Sequence, residues 1–263
     1  MRIIAIDWSG AKVHPEKKIW LAEATPRGEL RRIETRRDRE QIAAHLIELA
    51  RDGEPMIVGL DFAFSFPAWF VRERGYASAS ALWAALAGDG VADEWLKACE
   101  APLWGRPHCP KPVLEEHFRE TEKRAGAIAG ISCKSVFQIG GAGAVGTGSI
   151  RGMPVLHRLR AAGFCVWPFT PAAPVTVVEI YPRLLTGPVK KSVAECRAEY
   201  LQSHFPDLAP ELHDLASSSE DAFDAAVSAL VMARYAVELA RMPQRADART
   251  QLEGEIWRPG MAS

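Results

Sequence analysis

The sequence predicts an α/β fold built on a mixed β-sheet, and three observations carry that expectation. Short apolar runs rich in β-branched residues recur at 2–8, 18–24, 29–35, 56–61 and 175–180. Other stretches repeat apolar residues every three or four positions, the period of a helix packed along one face. The two kinds of segment follow an order in which three strands precede the first helix and later strands alternate with helices.

Each element can be justified in turn. Ile3, Ile4, Ala5 and Ile6 make an apolar first strand that runs into Asp7. Breaks at His14-Pro15 and at Pro26-Arg27-Gly28 separate it from the second and third strands, which reads as a meander. Asp38 then opens a helix whose Ile42, Leu46, Leu49 and Ala50 share a face, ending near Asp52-Gly53. Met56 to Asp61 is the fourth strand. From Phe62 to about Arg151 the periodicity weakens under tryptophan, proline and glycine, which predicts an insertion packed over the sheet end. Pattern resumes with a helix near 154–162, a fifth strand at 175–180, a helix near 192–205 and a long apolar helix from about Glu220 to Arg241. A right-handed crossover sets strand four parallel to strand one and beside it. The expectation is a ribonuclease H-like order in one domain over 1–263: a five-stranded mixed sheet, three antiparallel strands then two parallel, flanked by helices, with an insertion at about 62–151.

Composition bounds the function. The 263 residues are 48% hydrophobic and 25% charged, enough to bury a sizeable core. A formal net charge of -1 excludes a global basic field, while an enzyme acting on nucleic acid needs only a local basic rim. Five scattered cysteines without a Cys-x-x-Cys pair fit reduced thiols, and His108-Cys109 with His117 matches no zinc spacing. Asp7 interrupts the first apolar run too early for a signal-peptide core. The longest apolar stretch, Ile57 to Val71, carries Asp61, Ser65 and Pro67. A cytoplasmic protein with no membrane partner is expected.

The chemistry-bearing residues are acids. Asp7 ends strand one, Asp61 ends strand four, Glu179 lies late in strand five, and Asp221 and Asp224 begin the last long helix. Each sits in or beside an apolar segment, where a bare carboxylate is costly unless a cation or hydrogen-bond donors compensate it. Plainer roles exist: Asp7 as a turn former before Gly10, Asp61 as a loop cap, Asp221 in a capping box with Ser218, and Glu179 paired to Arg183. Asp224 escapes the capping account, because it shares a stripe with Asp221 and Ser228 on an otherwise apolar helix. The joint placement points to a site for Mg2+ or Mn2+, since two such ions can activate water and stabilise a leaving oxygen in phosphodiester cleavage.

The segments Ile6-Asp-Trp-Ser-Gly-Ala11, Gly59-Leu-Asp-Phe-Ala-Phe-Ser-Phe-Pro67, Lys134-Ser-Val-Phe-Gln138, Gly143-Ala-Val-Gly146, Val178-Glu-Ile-Tyr-Pro182 and Asp221-Ala-Phe-Asp-Ala-Ala-Val-Ser-Ala229 resemble the bacterial "domain of unknown function" family number 429. That family is described as predicted ribonuclease H-like nucleases, and the resemblance spans nearly the whole chain. The layout of acids also resembles that of Holliday-junction resolvases. By that analogy Asp7, Asp61 and Asp224 are the metal ligands, with Asp221 or Glu179 completing the set.

Remaining motifs carry less. Gly141-Ala-Gly-Ala-Val-Gly146 matches G-x-G-x-x-G, but Gly148, Gly152 and Pro154 interrupt the helix a dinucleotide site needs. It reads either as a flexible connector or as a loop of backbone amides near the acids, with Lys134, Ser9 or Arg151 contacting substrate. The arginines between 27 and 39 are interleaved with Glu29, Glu34, Asp38 and Glu40 and read as a salt-paired surface. The tryptophans of the insertion read as core. The expected function is divalent-metal-dependent phosphodiester hydrolysis by a nuclease, with nucleic acid as partner. The alternatives are a non-catalytic binding domain of the same fold or an ATP-using, actin-like relative.

Overall fold

The first strand forms where the sequence stacks β-branched residues, and its neighbours follow from the two turns. In the computed structural model, which describes residues 1–261, β1 (Arg2–Asp7), β2 (Trp20–Ala24) and β3 (Leu30–Glu34) make the expected antiparallel meander. Helix α1 (Arg39–Ala50) starts at Asp38, whose carboxylate accepts from the Gln41 amide while the Gln41 side chain accepts from the Asp38 amide. Strand β4 (Met56–Leu60) returns parallel to β1 and pairs Ile6 with Leu60.

The segment after β4 is more regular than its composition suggests. It holds α2 (Ala68–Glu73), α3 (Ala79–Leu86), α4 (Val91–Ala98), α5 (Glu120–Ala125) and a small hairpin of β5 (Ala127–Ile128) and β6 (Ile131–Ser132). Helix α6 (Val145–Ala161) begins nine residues before its expected start and runs through Gly146, Gly148, Gly152 and Pro154. Those residues have poor helix propensity, and burial of Ile150, Met153, Val155, Leu156 and Leu159 overrides it. The chain continues with β7 (Cys165–Val166), β8 (Val175–Glu179), α7 (Pro182–Thr186), α8 (Ala194–His204), α9 (Pro210–Ser217), α10 (Glu220–Arg234), α11 (Ala236–Leu239) and α12 (Thr250–Glu253).

The main sheet has six strands in the order β3-β2-β1-β4-β8-β7, one more than the five expected. The added edge strand, β7, is two residues long and pairs parallel with β8, too short to show a period in the sequence. The architecture is α/β: a mixed sheet, antiparallel at one side and parallel from β1 onward, with helices on both faces. One face buries Ile4, Ile6, Val58 and Leu60 against α1, α3 and α6; the other buries Ile3, Ala5, Ile57 and Val178 against α8 and α10. Phe64, Phe66, Phe70, Trp83 and Phe137 from the 62–151 segment join the first of these cores, and of its other tryptophans Trp69, Trp95 and Trp104 pack against that core half-buried. No helix among the described residues is long and apolar enough to cross a membrane. The five cysteines are unpaired, and Arg32 and Arg37 are tied to Glu23 and Glu34.

Candidate functional site

Parallel pairing of β1 with β4 is what brings the first two acids together. Because Ile6 pairs with Leu60 and the Asp61 amide donates to the Ile6 carbonyl at 3.1 Å, Asp7 and Asp61 leave the sheet side by side at one edge. Helix α10 packs across β1 and β2 and contributes Asp224 from its second turn. Ser219, not Ser218, caps this helix, accepting from the Ala222 amide at 3.0 Å. Asp221 is therefore no capping residue.

The electrostatics follow from this placement. Burial raises the pKa of Asp7 well above its ordinary value, and Asp61, Asp224 and Asp221 raise it further. Asp61 is raised by burial and then by Asp224, and Asp224 and Asp221 are raised mainly by burial. Neither Asp7 nor Asp61 accepts a hydrogen bond from any described residue, which sets aside the turn-former and loop-cap roles. One oxygen of Asp224, Oδ1, is buried without a partner. The other accepts from the Lys191 ammonium, a residue the sequence reading missed. Lys191 sits on an irregular loop between α7 and α8, where no periodicity marks it.

Glu179 departs from its expected role. Its side chain is buried, and its partner is Arg119 of the 62–151 segment rather than Arg183. Arg119 spends all five N–H donors on Glu122, Glu179 and the Glu253 carbonyl, and Oε2 of Glu179 also accepts from the Phe64 amide at 2.9 Å. Burial works against the Arg119 charge, but Glu122 and Glu179 more than offset it and raise its pKa. A carboxylate so saturated is a structural tie between the strand end and the Phe62 loop, not a free ligand.

A cavity of about 190 Å3 opens beside Asp61, walled by Trp8, Phe62, Tyr181 and Glu179 and roofed by Lys134, Ala144 and Gly148. The 62–151 segment thus brings Lys134, Ala144 and Gly148 to the cavity beside Asp61, whereas Asp7, Asp221 and Asp224 do not line it. Lys134 is exposed and has no hydrogen-bond or ion-pair partner among the described residues, so its ammonium is available. Arg151 is not: it binds Asp93 through Nε and Nη2 at 3.1 and 2.8 Å and donates to the Gly10 carbonyl. Arg39 holds the Ser9 and Ala11 carbonyls at 2.8 and 3.1 Å, and the Ser9 hydroxyl accepts from the Ala11 amide. Ser9 and Arg151 fix the loop after β1 rather than reach into the cavity.

The glycine run is a packing device. A Cβ on Gly10 would fall 2.5 Å from the Gly148 amide, and one on Gly152 would fall 2.6 Å from the Phe62 ring, so α6 lies directly on the loops that follow Asp7 and Asp61. Trp8 Nε1 donates to the Gly148 carbonyl, and the Ala63 amide donates to Ser149 Oγ at 3.0 Å, pinning both loops to the same helix. The Gly146 amide donates to the Gln138 carbonyl, so the start of α6 is not an open cradle of amides.

As a donor set for a hard divalent cation, Asp7, Asp61 and Asp224 fit by chemistry and by the orphaned Asp224 Oδ1. Among the described residues no three or more His, Cys, Asp or Glu side chains are already converged to hold a metal ion. No family model matches the sequence, and no curated protein or solved structure matches it either.

Proposed function

We propose that this chain is a ribonuclease H-like phosphodiesterase that uses Mg2+ or Mn2+, a nuclease in the manner of the family it resembles. The observation that carries the reading is the trio Asp7, Asp61 and Asp224: three carboxylates from three elements, Asp7 and Asp224 buried and Asp61 half-buried, each raised in pKa, two of them without a hydrogen bond and the third with an unpartnered oxygen. Folded proteins rarely bury polar groups unpaired, and perturbed carboxylates gather where chemistry is done. Asp7 would hold the cation together with Asp61 and Asp224, with the more exposed Asp221 at the outer side. When bound, the metal supplies an activated water and stabilises the departing oxygen. Lys134 contacts a phosphate of the substrate, and Trp8, Phe62 and Tyr181 exclude bulk water from the cavity. Arg119 holds Glu179, which through the Phe64 amide keeps the loop after Asp61 in place.

The actin-like alternative has little to stand on, because the glycines near 146–152 are consumed by packing. The test is hydrolysis of labelled single- and double-stranded DNA and RNA with Mg2+, Mn2+ or chelator. Metal-dependent cleavage by wild type, lost in Asp7→Asn and Asp61→Asn, is the expected result. A wild type without cleavage and without metal-induced thermal stabilisation would leave the non-catalytic binding domain as the reading to adopt.

A further inference from the structure

Resting on that reading, we infer that Lys191 is the built-in counter-cation of the acid centre, holding the place that a divalent ion must take. The Lys191 ammonium is bonded to Asp224 Oδ2, and both side chains are almost fully enclosed, 11% and 12% exposed. The Lys191 charge also bears on Asp7, Asp61 and Asp221, whereas Arg183 bears on Asp224 and Lys18 on Asp221. No other described carboxylate pairs with it.

The loop carrying Lys191 is built to present it. Arg183 donates to the Gly187 and Val189 carbonyls at 3.0 and 2.8 Å, and the buried Arg197 donates to the carbonyl of Lys191 itself and to that of Ser217 at 2.9 Å. Two guanidinium groups thus fix the backbone around the lysine. A single ammonium meets one of three clustered carboxyls, and a divalent ion, which can be held by all three, answers the cluster better than Lys191 does. Entry of the ion requires Lys191 to release Asp224. The affinity of the acid centre for metal is lowered by the bond that must break.

The test measures Mn2+ binding to the full chain by calorimetry and by the fall of the free-ion paramagnetic resonance signal. The set is wild type, Lys191→Met, Lys191→Gln, Lys191→Arg and Lys18→Met. The expected result is binding about tenfold tighter in Lys191→Met and Lys191→Gln. Lys191→Arg should keep the weak binding of wild type. Lys18→Met removes an exposed charge that bears on Asp221 alone, and should change affinity by less than about threefold. Equal affinity in wild type and both neutral variants would overturn the inference and leave the metal site standing. Tightening of the same size in Lys18→Met would also overturn it, as a general charge effect. Absence of Mn2+ binding throughout, neutral variants included, would remove the metal reading and the inference with it. Circular dichroism confirms folding, and Lys191→Gln, which keeps a hydrogen-bond donor for Asp224, carries the test should Lys191→Met fail to fold.

Discussion

Around Arg119 every charged atom has a partner, whereas around Asp7 the charges are left without enough of them. The first cluster matches five donors to Glu122, Glu179 and the Glu253 carbonyl, in a setting where neither Arg119 nor Glu179 is more than 2% exposed. The second gathers Asp7, Asp61 and Asp224 around one lysine and strands an oxygen. Both clusters bury carboxylates, and Glu179 is close enough to raise the pKa of Asp61. Burial of an acid therefore does not by itself mark function. What separates the two is whether the fold has supplied donors to the carboxylates.

The sharpest way to break this comparison is Arg119→Met. It leaves Glu122 and Glu179 buried without their cation, and should lower unfolding free energy by about 3–5 kcal/mol in urea titration. A loss below about 1 kcal/mol would show that the Arg119 cluster is not the structural one. Glu179→Gln is the milder form, expected to cost about 1.5–3 kcal/mol while leaving metal-induced stabilisation intact. Loss of the metal response in that variant would return Glu179 to the ligand set.

Smaller effects separate the acids of the second cluster. Asp7→Asn removes a repelling charge that accepts no hydrogen bond, so metal-free stability should hold or rise. Asp224→Asn strips Lys191 of its partner and should cost about 1 kcal/mol, a difference between two aspartates that capping or turn roles do not produce. The pH dependence gives the sign independently. Asp7 and Asp61 have folded pKa values raised above their unfolded ones, so the folded chain binds more protons. Their contribution to stability is complete below the unfolded value near ~4 and is lost as pH rises through the folded values. Melting of the metal-free chain should therefore show this loss, and Asp7→Asn should flatten it. The smallest effect on stability is expected for Lys134→Met, whose exposed side chain has no partner: the melting temperature should stay put while cleavage falls about tenfold or more.

Much of the acid centre was legible because its signals are local. Asp7 and Asp61 each close an apolar strand, and Asp224 breaks an apolar helix face, so each announces itself within a window of ten residues. The satisfaction of Glu179 was not legible, since it depends on Arg119, sixty positions earlier and in a stretch without clear period. Lys191 was missed for the same reason: a loop lysine is ordinary until the fold shows which carboxylate it meets. The propensities of glycine and proline place the start of α6 too late in the sequence, while the three-dimensional contacts of Gly148 and Gly152 decide that helix.

Those contacts also govern how the cavity can open. At Gly10 and Gly148 the separation between the β1 loop and α6 is set by the thickness of bare backbone, and at Gly152 the helix rests on the Phe62 ring with no side chain to compress. Such a joint has no slack. Any widening of the cavity therefore falls to its other lining, the unpartnered Lys134 side chain and the turn that ends at Ala144, rather than to a parting of these two loops from the helix.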